Sequence, residues 1–309
     1  MAYRQQSFPS PSVSDAACTD IPACVAIHTV LCGIILSDEF CFIRFAGGDS
    51  IRTEGTDGSE QYVIISDIRC TAMRIGLVSY RNINRDISFN ISQIESALKE
   101  SRGKADLLCF GEAFLQGFDS LCWNYETDQF MAVNLDSGTM NTLRDLTVRY
   151  DTALLTGYIE KEDDHIYSSC VVLDHGRIVH NYRRISGGWK ESAKTDDHYR
   201  EGTETGEFCL RGKRIMPALC GDIWNEPERF RTDSLLIWPV FVDYTVEEWN
   251  SGALDEYARQ AALVSKDTLM VNPVADDPVN HGGSFRFENG SVTERIPFDT
   301  EGILIVAVD

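Results

Sequence analysis

Arg74-Ile-Gly-Leu-Val-Ser-Tyr80 reads as a buried strand directly behind Met73, and the character of the chain changes there. Upstream, residues 1–72 open on a Ser/Pro-rich tract, SFPSPSVSD. They pass through an apolar stretch from Pro22 to Leu36 and end in a polar, Gly-rich segment. No helical or strand periodicity runs through them. They carry 4 basic and 9 acidic residues, and five of the ten cysteines: Cys18, Cys24, Cys32, Cys41 and Cys70. The apolar stretch of 15 residues is shorter than the ~20 that cross a bilayer. Only Arg4 precedes it, alongside Asp15 and Asp20, a poor match to a secretory leader. Residues 1–72 are therefore expected to form a poorly ordered N-terminal extension, and residues 73–309 the folded domain.

Downstream of Tyr80, strands and helices alternate. Ile87, Ile91, Ile94 and Leu98 make one apolar stripe and predict a helix near Asp86–Arg102, with Asp86 as N-cap and Gly103 just past its end. Asp106 to Phe110 reads as a strand ending at Gly111-Glu112, and a second helix is expected near Ser137–Tyr150. Further strands are expected at Thr152–Ile159, Ser169–Leu173, Ile178–Arg184, Ile215–Leu219, Ser234–Pro239 and Leu269–Asn272. One helix fits Glu247–Lys266. Asn289-Gly290 between two alternating runs signals a hairpin, and Gly302–Val308 is the last strand. This order predicts a layered α/β or α+β domain with helices covering sheet faces.

Composition limits the function. The chain has 309 residues, 28 Lys+Arg against 48 Asp+Glu, a net charge of −20 and 43% hydrophobic residues. That balance suits a globular protein and excludes a disordered or collagen-like chain. It has no basic run that would engage phosphates, so neither nucleic acid nor an acidic membrane surface is an expected partner. The cysteines show irregular spacing and no CxxC, which fits a reducing, cytoplasmic setting better than a disulfide framework or a zinc site. No Gly-rich phosphate motif occurs, and no metal or organic cofactor is expected.

Three segments carry candidate chemistry. Glu112 is a carboxylate between two apolar runs at a strand end, where burial would raise its pKa toward a general base's range; the plain alternative is an ion-paired acid at a sheet edge. Cys220, in Ile215-Met-Pro-Ala-Leu-Cys-Gly-Asp-Ile-Trp224, sits at a strand tip before a Gly turn. A nucleophile there is exposed to substrate and close to backbone N–H groups; the plain alternative, a small buried hydrophobe, fits Cys109, Cys170 and Cys209. The third segment, His180-Asn-Tyr-Arg-Arg-Ile-Ser-Gly-Gly-Trp-Lys-Glu191, is basic in an acidic chain and could supply a cation to an oxyanion, or could be a solvated turn. None of the histidines sits in a Cys–His signature.

Together these segments resemble the nitrilase superfamily of carbon–nitrogen hydrolases. Phe110-Gly-Glu112-Ala-Phe-Leu-Gln-Gly117 resembles its glutamate motif, usually FPE. Tyr182-Arg183-Arg184 resembles its Tyr-Arg-Lys motif, and Ala218-Leu-Cys220-Gly-Asp-Ile-Trp224 its nucleophile motif. Gly157-Tyr158, Tyr199-Arg-Glu-Gly202, Tyr257-Ala-Arg259, Asn272 and Gly282-Gly-Ser284 follow in the same order. The resemblance spans residues 73–309. It implies a four-layer α-β-β-α sandwich, often dimerised, and hydrolysis of a small amide or carbamoyl substrate through a Cys220 thioester, with Glu112 as general base and acid. Two departures stand out. Gly111 replaces the usual Pro, and Arg184 stands where the family has its catalytic Lys. Lys190, six residues on, is the expected functional cation, with Arg184 shaping the pocket. Gly221, Asp222, Trp224 and Glu191 are expected around the substrate. The Arg replacement also keeps open a catalytically inactive nitrilase-fold protein that binds a ligand or partner.

Overall fold

The computed structural model describes residues 72–309, together with the backbone of three short strands, β1 (Ile43–Phe45), β2 (Ser50–Glu54) and β3 (Glu60–Ile64). By internal contacts the chain divides into Met1–Cys70 and Thr71–Asp309. In the first unit, β1, β2 and β3 form an antiparallel sheet in that order. The expectation of an unstructured extension otherwise concerns residues outside those described.

The second unit starts with β4 (Met73–Ser79), the strand that opened the sequence reading. β5 (Leu107–Cys109), β6 (Ala153–Glu162), β7 (His165–Asp174) and β8 (Arg177–Arg183) follow. β9 (Phe208–Leu210), β10 (Lys213–Pro217), β11 (Leu235–Pro239) and β12 (Asp267–Val271) come next. After a small β13 (Val274–Asp276) and β14 (Val279–His281) ribbon come β15 (Ser284–Glu288), β16 (Ser291–Arg295) and β17 (Gly302–Val308). They form two six-stranded sheets, β17-β4-β5-β6-β7-β8 and β16-β15-β12-β11-β10-β9. In each, three central strands run parallel (β4, β5, β6 and β10, β11, β12) and the flanking strands are antiparallel.

Period-two alternation builds the layers. From the first sheet, Ile75, Leu77, Leu107, Cys109, Leu155, Cys170 and Val172 join one core with residues of the second sheet such as Ile215, Leu236, Trp238 and Met270. Their strand neighbours Val78, Leu108, Leu154, Val171 and Leu173 point the other way. There they meet Ile94, Ala97 and Leu98 of the helix Ile87–Glu100, and Met140, Leu143 and Leu146 of the helix Gly138–Tyr150. Tyr257, Ala258 and Ala261 of the helix Leu254–Ala262 pack against the second sheet, within the same contiguous cluster. Helix, sheet, sheet and helix thus stack as the family resemblance implies.

Local signals hold at several ends. Asp86 caps its helix by accepting from Phe89 N at 2.9 Å, and Ser137 caps the next by accepting from Met140 N at 3.1 Å. Asn289 and Gly290 take φ of 49° and 81°, the two left-handed residues that a tight hairpin between β15 and β16 requires. One element departs from expectation. The helix predicted over Glu247–Lys266 is interrupted, because Gly252 adopts φ 140° and separates a first turn at Val246–Glu248 from Leu254–Ala262. Among the described residues no helix is long and apolar enough to cross a membrane.

Candidate active site

Glu112 lies just past the end of β5. Its backbone N–H donates to Val240 O at 3.1 Å, beyond the end of β11, so the loop bridges the two sheets. Gly157 of β6 lets it sit there: a Cβ at 157 would stand 2.7 Å from Glu112 Cα and 2.5 Å from Ala113 N. Ala113 follows in a left-handed conformation, φ 49°. Gly111, where a proline was the expected residue, packs against another one. A Cβ at 111 would lie 2.5 Å from Pro273 Cδ.

The Glu112 carboxylate is fully buried. Its Oε1 accepts from Ser168 Oγ at 2.9 Å and from Arg184 Nη1 at 2.8 Å. Its Oε2 is also buried and has no hydrogen-bond partner. A buried carboxylate with one oxygen doubly anchored and the other unpaired is arranged to exchange a proton with something placed beside it.

Arg184 follows β8 directly and is 3% exposed. Besides Glu112, its guanidinium gives Nε to Ser186 Oγ at 2.8 Å. Burial is the largest influence and opposes its charge, but Glu112, Cys220 and Asp222 together, with the hydrogen bond to Glu112, outweigh it, so Arg184 holds its proton more firmly than a free arginine. The backbone keeps it there: Arg184 N donates to Ser168 O, and Gly202 N to Arg184 O, each at 2.8 Å.

Cys220 follows β10 in a left-handed conformation, φ 42°, which is strained for a residue with a Cβ. Two bonds hold it so. Cys220 N donates to Pro239 O at 2.9 Å, and Trp238 Nε1 donates to Cys220 O at 2.8 Å. The thiol stands 3.8 Å from Phe241 O. Burial, and then the charge of Glu112, push its pKa up to about 12, while Arg184 pulls it down. The thiol is therefore close enough to Glu112 and Arg184 to feel both charges, and rests as a protonated thiol.

Asp222 joins the two loops. Its Oδ1 accepts from Ile185 N at 3.1 Å and Ser186 N at 2.9 Å; its Oδ2 accepts from Tyr182 Oη at 2.6 Å and Leu219 N at 2.8 Å. Burial raises its pKa, and these hydrogen bonds pull it back. All four contacts go to the protein, so Asp222 braces the site rather than facing a substrate. Gly221 lies against Arg184, since a Cβ there would be 2.6 Å from Nη2. Trp224 is 39% exposed and meets Tyr257 edge-on at 5.1 Å.

Lys190 is placed elsewhere. Its ammonium donates to Tyr199 O at 2.6 Å and pairs with Glu201 at 2.8 Å. Among the described residues, no hydrogen bond or ion pair joins it to Glu112 or Cys220. Glu191 is exposed and pairs with Lys194 at 2.8 Å. The structure thus brings Glu112, Arg184, Cys220, Gly221 and Asp222 together and leaves Lys190 and Glu191 outside. Cys209, expected as a small buried hydrophobe, does lie in a strand but is exposed on β9. Sequence reasoning missed Ser168 and Ser186: isolated serines in a strand and a loop carry no signal until the fold sets them beside a charge. A cavity of about 350 Å³ along β8, lined by Tyr167, His180, Asn181, Arg183 and Glu201 among others, includes none of Glu112, Arg184 and Cys220. Among the described residues no group of His, Cys, Asp and Glu is arranged to hold a metal ion.

Comparison with known proteins gives a consistent picture. Residues 74–230 match the model of the family described as carbon-nitrogen hydrolase. An (R)-stereoselective amidase from a Pseudomonas species is 28% identical over 151 residues, 49% of this chain and 52% of that protein. The match thus spans about half the length of that relative. Among solved structures, XC1258 from Xanthomonas campestris, a CN-hydrolase superfamily protein with an arsenic adduct in its active site, superposes with a TM-score of 0.64. It has 19% identity over 77% of this chain and 91% of that one. The amidase from Nesterenkonia sp. AN1, seen with the acetamide moiety of fluoroacetamide on its active-site cysteine, gives 0.62 and 17% over 79% and 93%. Both likenesses establish the fold.

Proposed function

The chain belongs to the carbon–nitrogen hydrolase family, and from that premise we propose that it hydrolyses a small amide through a thioester on Cys220. One observation carries the reading: Glu112, Arg184 and Cys220, which follow three different strands, share one buried site in which Glu112 Oε2 has no partner.

Glu112 takes the thiol proton as Cys220 Sγ bonds to the amide carbon. The carbonyl π pair moves to oxygen, and Arg184, with a backbone N–H near Gly221, stabilises that oxyanion. The pair then re-forms the carbonyl, the C–N bond breaks, and Glu112 returns its proton to the leaving nitrogen. Water next attacks the thioester and gives Glu112 a proton. The C–S bond breaks, the sulfur recovers the proton, and a carboxylic acid leaves. The carboxylate is needed because a thiol this firmly protonated is not a nucleophile alone, and an amide nitrogen leaves only when protonated.

Ammonia release from propionamide tests the proposal. Turnover is expected from the full chain and from Lys190→Ala, and none from Cys220→Ala. Turnover that persists in folded Cys220→Ala overturns it, and its absence from the unmutated chain with every small amide tried favours a non-catalytic binding role. A homodimer and a cytoplasmic setting belong to the same proposal; light scattering that gives a monomer mass argues against the dimer.

A further inference from the structure

The guanidinium of Arg184 spends its donors unevenly. Nη1 is held by Glu112 Oε1 and Nε by Ser186 Oγ, each at 2.8 Å. Among the described residues no acceptor holds Nη2. Two glycines flank that nitrogen instead. A Cβ on Gly221 would come 2.6 Å from it, and a Cβ on Gly188 3.1 Å. Gly221 directly follows Cys220, so Nη2 lies against the turn that carries the sulfur.

An ammonium and a guanidinium solve this problem differently. A lysine is a point charge on a flexible stem and needs no aiming beyond its length. A guanidinium is a planar fork, and which of its nitrogens faces the oxyanion depends on the rotation of that plane. Two anchors on different nitrogens fix a plane; one does not. Here Glu112 supplies the first anchor and Ser186 the second. The backbone of Ser186 is itself fixed, because Ser186 N donates to Asp222 Oδ1 at 2.9 Å. Two side-chain-free positions then admit the wider head.

We propose that Arg184 Nη2 is the cationic oxyanion donor, that Ser186 is the positioning residue that aims it, and that Gly188 and Gly221 are the space that lets an arginine serve where a lysine is usual. The proposal rests on the hydrolase reading above for its reaction, but not for its test. Propionaldehyde adds to a thiol to give a thiohemiacetal: a C–S bond forms, the carbonyl π pair becomes an oxyanion, and the thiol proton moves to Glu112. Its affinity for Cys220 reports the oxyanion donor without any turnover.

The experiment is protection of Cys220 by propionaldehyde against iodoacetamide in the full chain, read by peptide mass spectrometry, alongside propionamide turnover. Ser186→Ala is expected to weaken protection about tenfold in a protein that stays folded by circular dichroism, and Ser186→Thr, which keeps the hydroxyl, to restore it to within about threefold. Arg184→Lys is expected to weaken protection further, and Lys190→Ala to change it less than twofold. Protection by Ser186→Ala equal to that of the unmutated chain overturns the proposal. So does loss of protection in Lys190→Ala, or a Cys220 that alkylates yet is never protected. Graded protection without amide turnover sinks the hydrolase reading and leaves this proposal standing; turnover without protection does the reverse.

Discussion

Tyr182 and Asp222, forty positions apart in the chain, meet at 2.6 Å through a phenol–carboxylate hydrogen bond buried between the sheets. Through it, and through three backbone N–H groups bound by the same carboxylate, the segment that carries Arg184 and the turn that carries Cys220 become one body. The distance between cation and sulfur is set by a residue that touches neither reacting group.

Asp222→Ala leaves those four donors buried without an acceptor. An unpaired buried donor costs ~1–3 kcal/mol, so the substitution is expected to cost at least about 3 kcal/mol. Asp222→Asn retains one acceptor oxygen and is expected to cost less. Urea unfolding measures both, and a loss under about 1 kcal/mol for the alanine variant contradicts the bracing role.

Cys220 makes a prediction in pH. Its pKa is pushed up to about 12 from an ordinary value of 9.0, by burial first and then by Glu112. A free thiol stops gaining reactivity just above its pKa of ~8.5. Alkylation of Cys220 by iodoacetamide is expected to keep rising past pH 10, with no plateau near 8.5. The same shift acts on stability. Below pH 9 both states keep the proton, whereas above it the unfolded chain ionises first, so stability is lost as pH rises from about 9 toward 12. Unfolding curves at pH 8 and pH 10 check the sign.

Gly157→Ala directs a methyl group at backbone rather than at a movable side chain, within 2.5 Å of Ala113 N and 2.7 Å of Glu112 Cα. Overpacking of this kind costs ~1–3 kcal/mol. Because the loop that yields carries Glu112, turnover is expected to fall more than stability does. A variant as active as the unmutated chain would show that the close approach is incidental.

Glu112→Gln keeps the shape and one acceptor for Arg184 and Ser168 but removes the proton carrier. General acid–base catalysis is worth ~10²–10⁴-fold, and a loss of at least that size in amide turnover is expected from a protein that stays folded. Steady-state ammonia release, with circular dichroism as the folding control, is the measurement.

Much of the architecture was legible in the chain. The alternation in β4 to β7, the caps at Asp86 and Ser137 and the Asn289-Gly290 turn are local signals, and local signals survive folding. Glu112 and Cys220 could be singled out because each interrupts an apolar run at a strand end. The choice between Lys190 and Arg184 could not be read the same way. It depends on which side of β8 each residue leaves: Tyr182 reaches inward to Asp222, Arg183 outward to Glu160 at 2.6 Å, and Arg184 inward again to Glu112. Lys190 is drawn off by Glu201, a partner eleven residues further on whose position only the folded loop defines. The break at Gly252 escaped notice because the apolar positions on either side keep a helical spacing, while the glycine's φ does not.

The pairing of β4 with β17 sets Met73 directly opposite Val308, so the first and last strands of the second unit meet on one rung of the ladder. Its strands therefore have a cyclic order as well as a linear one. A permuted chain that joins these two ends through a short linker and opens at the exposed Asp163-Asp164 turn between β6 and β7 would keep every strand pairing of both sheets, and with them the relative placement of Glu112, Arg184 and Cys220.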